Sequence, residues 1–117
     1  MRKPILTYKQ FDVVVVPFPF TDRAATRKRP VLIISDATTF NQSTNKSVMA
    51  MITTASHAPW ALDVPILNLK SAGLKADSVV RMKLFTLDDV LVIKKIGKLA
   101  TGDRDLVLKS LQQLFNI

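Results

Sequence analysis

Four consecutive valines, Val13–Val16, and a second apolar run, Val31–Ile34, stand on either side of a polar segment ending in Arg27-Lys28-Arg29-Pro30. β-Branched side chains lose rotamer freedom in a helix and pack well on a pleated surface, so both runs are expected as strands. A valine run without polar alternation predicts a strand buried on both faces. Two such strands would hold the intervening cations at a fixed place on the surface. Fixed cations are what a protein needs to hold a phosphate backbone.

The rest of the chain continues in short β segments. Strands are expected over Phe11–Pro17, Arg29–Ser35, Ser47–Thr54 and Leu62–Leu67. Ser78–Leu87 reads as one strand or a bent pair, and Leu91–Leu99 as a further strand or a short irregular segment, with an irregularity near Gly97. Proline cannot donate to a ladder, so Pro17-Phe18-Pro19 is expected to end pairing of the first strand. Thr21–Lys28 and Asp36–Asn45 read as loops, the second with a helical turn near Thr39–Asn41. Ser56–Trp60 and Asp88-Asp89 read as turns, and Leu69–Leu74 as a loop or short helical turn closed by Gly73.

One long helix is expected over Thr101–Phe115, with Thr101 as N-cap and Asp103 and Asp105 complementing the helix dipole. Leu108, Leu111, Leu114 and Phe115 would form its apolar face. Few connections look helical, so the sheet should be mainly antiparallel. The expected fold is mainly β with a C-terminal helix, α+β by composition, as a small curled barrel in one domain over residues 1–117.

Composition narrows the chemistry. The chain has no cysteine, which excludes a disulfide framework, thiolate catalysis and the usual zinc knuckle. No segment approaches the roughly 18 apolar residues of a bilayer span, and no apolar leader follows Met1-Arg2-Lys3. A cytoplasmic protein with no membrane contact is expected. Seventeen Lys and Arg against nine acids give a net charge of +8, which points to nucleic acid or an acidic partner. The excess is spread along the chain without a basic tail, so a folded face is expected to bind. Every acid is aspartate; a general acid or base must come from Asp, His57, Lys, Arg, Tyr8 or water. No tight aspartate cluster suggests a metal site, and no metal or cofactor is expected.

These residues resemble the MazF/PemK family of toxins from type II toxin–antitoxin systems. The likeness rests on DVVVVPFPFTD at 12–22, KRPVLIIS at 28–35, MITT at 51–54, AGLKADSVVRMKLFTLD at 72–88 and KKIGKL at 94–99. FPFTD and KLFTLD place it nearest the PemK-like branch. The resemblance implies an SH3-like barrel of the MazF/PemK/CcdB type, usually a homodimer. It implies a metal-independent endoribonuclease that cuts single-stranded RNA, including mRNA, at short sequences and inhibits growth. It also implies a cognate antitoxin whose flexible tail covers the RNA groove.

Such cleavage uses the 2′-hydroxyl as nucleophile and needs a base, an acid and donors for the charge that develops on the phosphoryl oxygens. The resemblance puts Arg29, Thr53 and Arg81 in the catalytic positions. Arg23, Arg27, Lys28, Thr54, Ser56 and Lys83 would bind RNA around them. Phe18, Phe20 or Trp60 could stack on splayed bases. His57 matches no catalytic position of the family.

Three departures weaken the catalytic match. The acidic partner expected two residues after Arg81 is Lys83. The first-loop glutamate, sometimes with a histidine, is replaced by Ala24 and Arg23, leaving Asp22 as the nearby carboxylate. Phe11 stands where a glycine usually precedes the first Asp-Val. The alternative is a barrel of the same class that binds nucleic acid without cutting it, or that poisons a topoisomerase.

Overall fold

The computed structural model describes residues 6–19 and 27–117. Six strands form one sheet: β1 (Asp12–Phe18), β2 (Arg27–Ile33), β3 (Lys46–Thr54), β4 (Val64–Pro65), β5 (Ser78–Asp88) and β6 (Lys94–Lys98). Their order is β4-β5-β3-β2-β1-β6 and every pairing is antiparallel. The sheet curls into a half-barrel, and a helix over Thr101–Phe115 packs beside β4.

The valine run explains itself in this setting. Val13 joins Leu32, Ala50, Ile52, Val80 and the helix residue Val107 on one side of the sheet. Val14 and Val16 join Val31, Ile33, Met49, Met51 and Tyr8 on the other. Both sides of β1 are therefore core, and each fully buried aliphatic side chain contributes about 1.5–3 kcal/mol.

Several boundaries differ from expectation. Pairing does not stop at Pro17: Pro17 lies opposite Lys28 and Phe18 opposite Arg27. Strand β6 leaves β1 after Val15, so the far half of β1 has one partner, where proline is tolerated. As a result β2 begins at Arg27. The Leu62–Leu67 strand shrinks to Val64–Pro65 at the sheet edge. Ser78–Asp88 is one strand, bent by a bulge: Ala50 faces Leu84 and Met51 faces Arg81, leaving Met82 and Lys83 unmatched. The irregularity near Gly97 is also a bulge, because Val13 faces Gly97 while Val14 faces Lys95. Helical turns occupy Ala37–Asn41 and Gln42–Thr44, opened by Asp36 accepting the Thr39 N–H at 2.7 Å.

The C-terminal helix corrects two expectations. Its N-cap is Ala100, without a side-chain cap. Its buried residues are Asp103, Val107 and Ser110, while Leu108, Leu114 and Phe115 are exposed. The cause is polar anchoring. The Asp103 carboxylate accepts the Leu67 and Asn68 N–H groups at 3.0 and 2.9 Å, and Ser110 Oγ donates to the Leu62 carbonyl at 2.6 Å. These bonds fix the helix's rotation against β4, and the leucines take what remains.

Phe11 holds φ +74°, the left-handed conformation that glycine adopts without strain. Its ring is 6% exposed in the core, with the Arg104 guanidinium 5.8 Å from the ring centroid. A buried phenylalanine is worth about 3–5 kcal/mol against alanine, more than the roughly 1–3 kcal/mol cost of the conformation. Burial wins, which accounts for a side chain where the family usually has none.

Gly97 lets the Leu69–Ala72 helix lie on β6. An added Cβ would sit 2.4 Å from the Ala72 carbonyl carbon and from the Ser71 carbonyl oxygen. Both are backbone, so neither can swing aside. Gly97→Ala is expected to cost about 1–3 kcal/mol or more, read as a lower urea midpoint at unchanged slope. An unchanged midpoint would contradict this packing.

Asp89 is buried; Ser47 Oγ donates to its Oδ1 at 2.7 Å and its Oδ2 has no partner among the described residues. Burial pushes its pKa above the ordinary carboxylate value, with Asp88 adding to the rise and the Ser47 bond opposing it. A raised pKa in the folded state favours folding at low pH, and that contribution is lost as pH rises through the raised value. Asp89→Asn is therefore expected to gain stability relative to the parent as pH climbs from about 4 toward 7. Thermal melts across that range showing a constant difference would refute it.

Candidate nucleic-acid site

The β2–β3 register sets the central geometry. Val31 faces Met51, Leu32 faces Ala50 and Ile33 faces Met49. Two residues further along, this register puts Arg29 level with Thr53, on the face that Val31 and Met51 share. Arg81 faces Met51 across the next pair, so it shares that face one step from Thr53. Arg29, Thr53 and Arg81 thus lie on one side of three adjacent strands, β2, β3 and β5.

Each side chain has a distinct setting. Arg29 is half-buried, its guanidinium 5.3 Å from the centroid of the Phe18 ring. It makes no ion pair among the described residues. The aromatic ring holds the cation without occupying its donors. Thr53 is half-buried and its hydroxyl donates to no described residue. The next residue, Thr54, is exposed, and its Oγ1 lies 3.0 Å from Ser56 Oγ. Arg27 and Lys28 are exposed at the start of β2, also without ion pairs among the described residues. Alternation puts Arg27 on the Arg29 face and Lys28 on the other. Lys83 is exposed in the β5 bulge, and His57 is exposed on the turn after β3. Arg23, with Phe20, Asp22 and Ala24, lies outside the described residues.

Arg81 is far more constrained. Its Nε donates to Asp63 Oδ1 at 3.2 Å, and its Nη2 donates to Asp63 Oδ2 at 3.0 Å and to the Ala58 carbonyl at 2.8 Å. Trp60 covers one face of the guanidinium, 4.8 Å from centroid to Cζ. Nη1 is left without a hydrogen-bond partner among the described residues. Asp63 also accepts the Trp60 N–H at 2.9 Å. Burial acts to raise the Asp63 pKa, but the Arg81 hydrogen bond, the Trp60 N–H and the Arg81 charge outweigh it and hold the carboxyl below its ordinary value. A carboxylate so engaged is a weak proton acceptor and a strong clamp.

Asp63 is the residue that sequence reasoning missed. An acid is supplied instead from the residue just before β4, 18 positions before Arg81. The signal lies in the β4–β5 register: Val64 faces Val80, so Asp63 comes level with Arg81. That register is legible only once the true ends of β4 are known.

Comparison with known proteins agrees with this fold. The family model for PemK-like, MazF-like toxins of type II toxin–antitoxin systems matches residues 9–115. No curated protein matches significantly. Among solved structures, the MazE–MazF complex (Form II) from Deinococcus radiodurans superposes with a TM-score of 0.73 at 15% identity, covering 96% of this chain and 98% of that one. The Mycobacterium tuberculosis toxin MazF-mt6 gives 0.69 at 20% identity, covering 91% and 97%. An endoribonuclease in complex with its cognate antitoxin from Mycobacterial species gives 0.74 at 14%, covering 94% and 96%. At such identities the superpositions establish the fold, while the family model covers nearly the whole chain. This chain belongs to the PemK-like, MazF-like toxins of type II toxin–antitoxin systems.

Proposed function

We propose that this chain is an endoribonuclease that cuts single-stranded RNA by attack of a ribose 2′-hydroxyl on the adjacent phosphate. The observation that supports the reading is the β2–β3 register, whose last pair is Val31–Met51 and which, continued two residues, sets Arg29 level with Thr53 beside the cationic start of β2. Arg29 grips the phosphoryl oxygens with its planar fork and stabilises the charge that builds there. Thr53 donates a hydrogen bond to the same phosphate. Arg81 offers Nη1 to a neighbouring oxygen, its other donors being held by Asp63 and Ala58. Arg27 and Lys83 contact flanking phosphates, with Thr54 and Ser56 at the rim; Lys28, on the other face of β2, and Arg23 belong to the same set by sequence alone.

A cognate antitoxin with an acidic segment is the natural partner for a chain of charge +8. Solved relatives include a MazE–MazF complex and an endoribonuclease bound to its cognate antitoxin. A homodimer is the proposed assembly. The direct test is incubation of purified protein with defined single-stranded RNA in excess EDTA, where cleavage is expected. Salt-sensitive binding without products would instead favour a barrel that only binds. Growth arrest with no RNA binding would point to a protein target such as a topoisomerase.

A further inference from the structure

We propose that Trp60 is a preformed shelf for an RNA base, next to the phosphate-gripping face; this rests on the RNA reading above. Trp60 is the chain's one tryptophan and is 48% exposed on a turn. Exposed indoles on turns are usually free to move. This residue is held at three points: its ring lies against the Arg81 guanidinium, its backbone N–H donates to Asp63 Oδ2 at 2.9 Å, and its backbone carbonyl accepts the Asp63 N–H at 3.3 Å. Asp63 in turn fixes Arg81 through two hydrogen bonds. The guanidinium covers one indole face, so the exposed area belongs to the other face and the edge.

An indole already held against Arg81 with its other side open can receive a planar partner at little further ordering cost. Its surroundings select the occupant. Arg29 and Arg27 carry no ion pairs among the described residues and share one face of β2, with β3 between them and Arg81. Arg81 stands two strands from β2, roughly 10 Å at the usual strand spacing. A nucleotide chain whose phosphate sits between Arg29 and Thr53 brings a neighbouring base to that distance. Every base has a π-face, so the shelf would favour bases over bare backbone without demanding one sequence.

Because Trp60 is the lone tryptophan, its fluorescence reports stacking directly. The probes are a short 2′-O-methyl RNA of mixed sequence, which has no attacking hydroxyl, and an abasic phosphodiester of equal length. Binding is followed by anisotropy of the labelled oligomer, and stacking by indole quenching. The base-bearing oligomer is expected to quench Trp60 and the abasic one to bind without quenching. Trp60→Ala should weaken base-bearing RNA about 5- to 100-fold and leave abasic binding within about twofold. Trp60→Phe should recover most of the loss. Equal quenching by both oligomers, or a Trp60→Ala protein that binds base-bearing RNA as tightly as the parent, would overturn the shelf and leave the cationic face standing. Failure of the parent to bind either oligomer would sink both.

Discussion

Replacing Arg29 with alanine is expected to lower RNA cleavage by two orders of magnitude or more. Losing one donor to a developing oxyanion costs roughly 10²–10³ in rate, and Arg29 also supplies charge. The fold should survive, because the side chain is half-buried and rests on the Phe18 ring without an ion pair among the described residues. Unchanged far-UV circular dichroism and an unchanged melting temperature would establish that. Arg29→Lys is the informative companion. It keeps the charge but not the planar fork, so it should restore salt-sensitive RNA binding and only part of the rate. Wild-type turnover in the alanine variant would remove Arg29 from the chemistry.

Asp63→Ala should give the largest loss of stability among single changes near the site. Asp63 and Arg81 are each 11% exposed, and removing the carboxylate leaves a largely enclosed guanidinium with the Trp60 ring over it and the Ala58 carbonyl as its one hydrogen-bond acceptor among the described residues. Breaking a buried pair costs about 3–5 kcal/mol; the remaining water contact lowers the figure here to about 2–4 kcal/mol. Pairing Asp63→Ala with Arg81→Met should recover part of that loss, because the stranded charge is gone. The pH dependence follows from the depressed Asp63 pKa. Its stabilisation is present above the ordinary carboxylate value and disappears as pH falls through the lowered one. The parent should therefore lose stability in acid more steeply than the variant. Urea titrations at neutral and acidic pH would show this. Parallel pH curves for parent and variant would mean that the pair does not stabilise the fold.

Much of the architecture was legible in local pattern. Val13–Val16 and Val31–Ile34 announced a doubly buried hairpin because branched apolar runs have few other places to go. The C-terminal helix was legible by length, but its rotation was not. Asp103 and Ser110 reach backbone groups of residues 62–68, and no count of leucines reveals that. Pro17 misled because its effect depends on whether the second neighbour is present, which is a property of the sheet. The reach of β5 through a bulge was open for the same reason.

The site divides in the same way. Arg29 and Thr53 were legible as residues, through the family strings that carry them. Their side-by-side placement depends on the β2–β3 register, which the core residues Val31, Ile33, Met49 and Met51 set together. The Arg81 partner was looked for nearby in sequence and found across the sheet. Arg81 is paired with an acid all the same, with Asp63 holding the guanidinium.

End-group analysis of the products of single-stranded RNA incubated with the protein in excess EDTA tests the central claim most directly. Attack by the 2′-hydroxyl predicts a 2′,3′-cyclic phosphate, or the phosphate it hydrolyses to, on one fragment and a 5′-hydroxyl on the other. Fragments ending in a 3′-hydroxyl and a 5′-phosphate, or intact RNA, would contradict it.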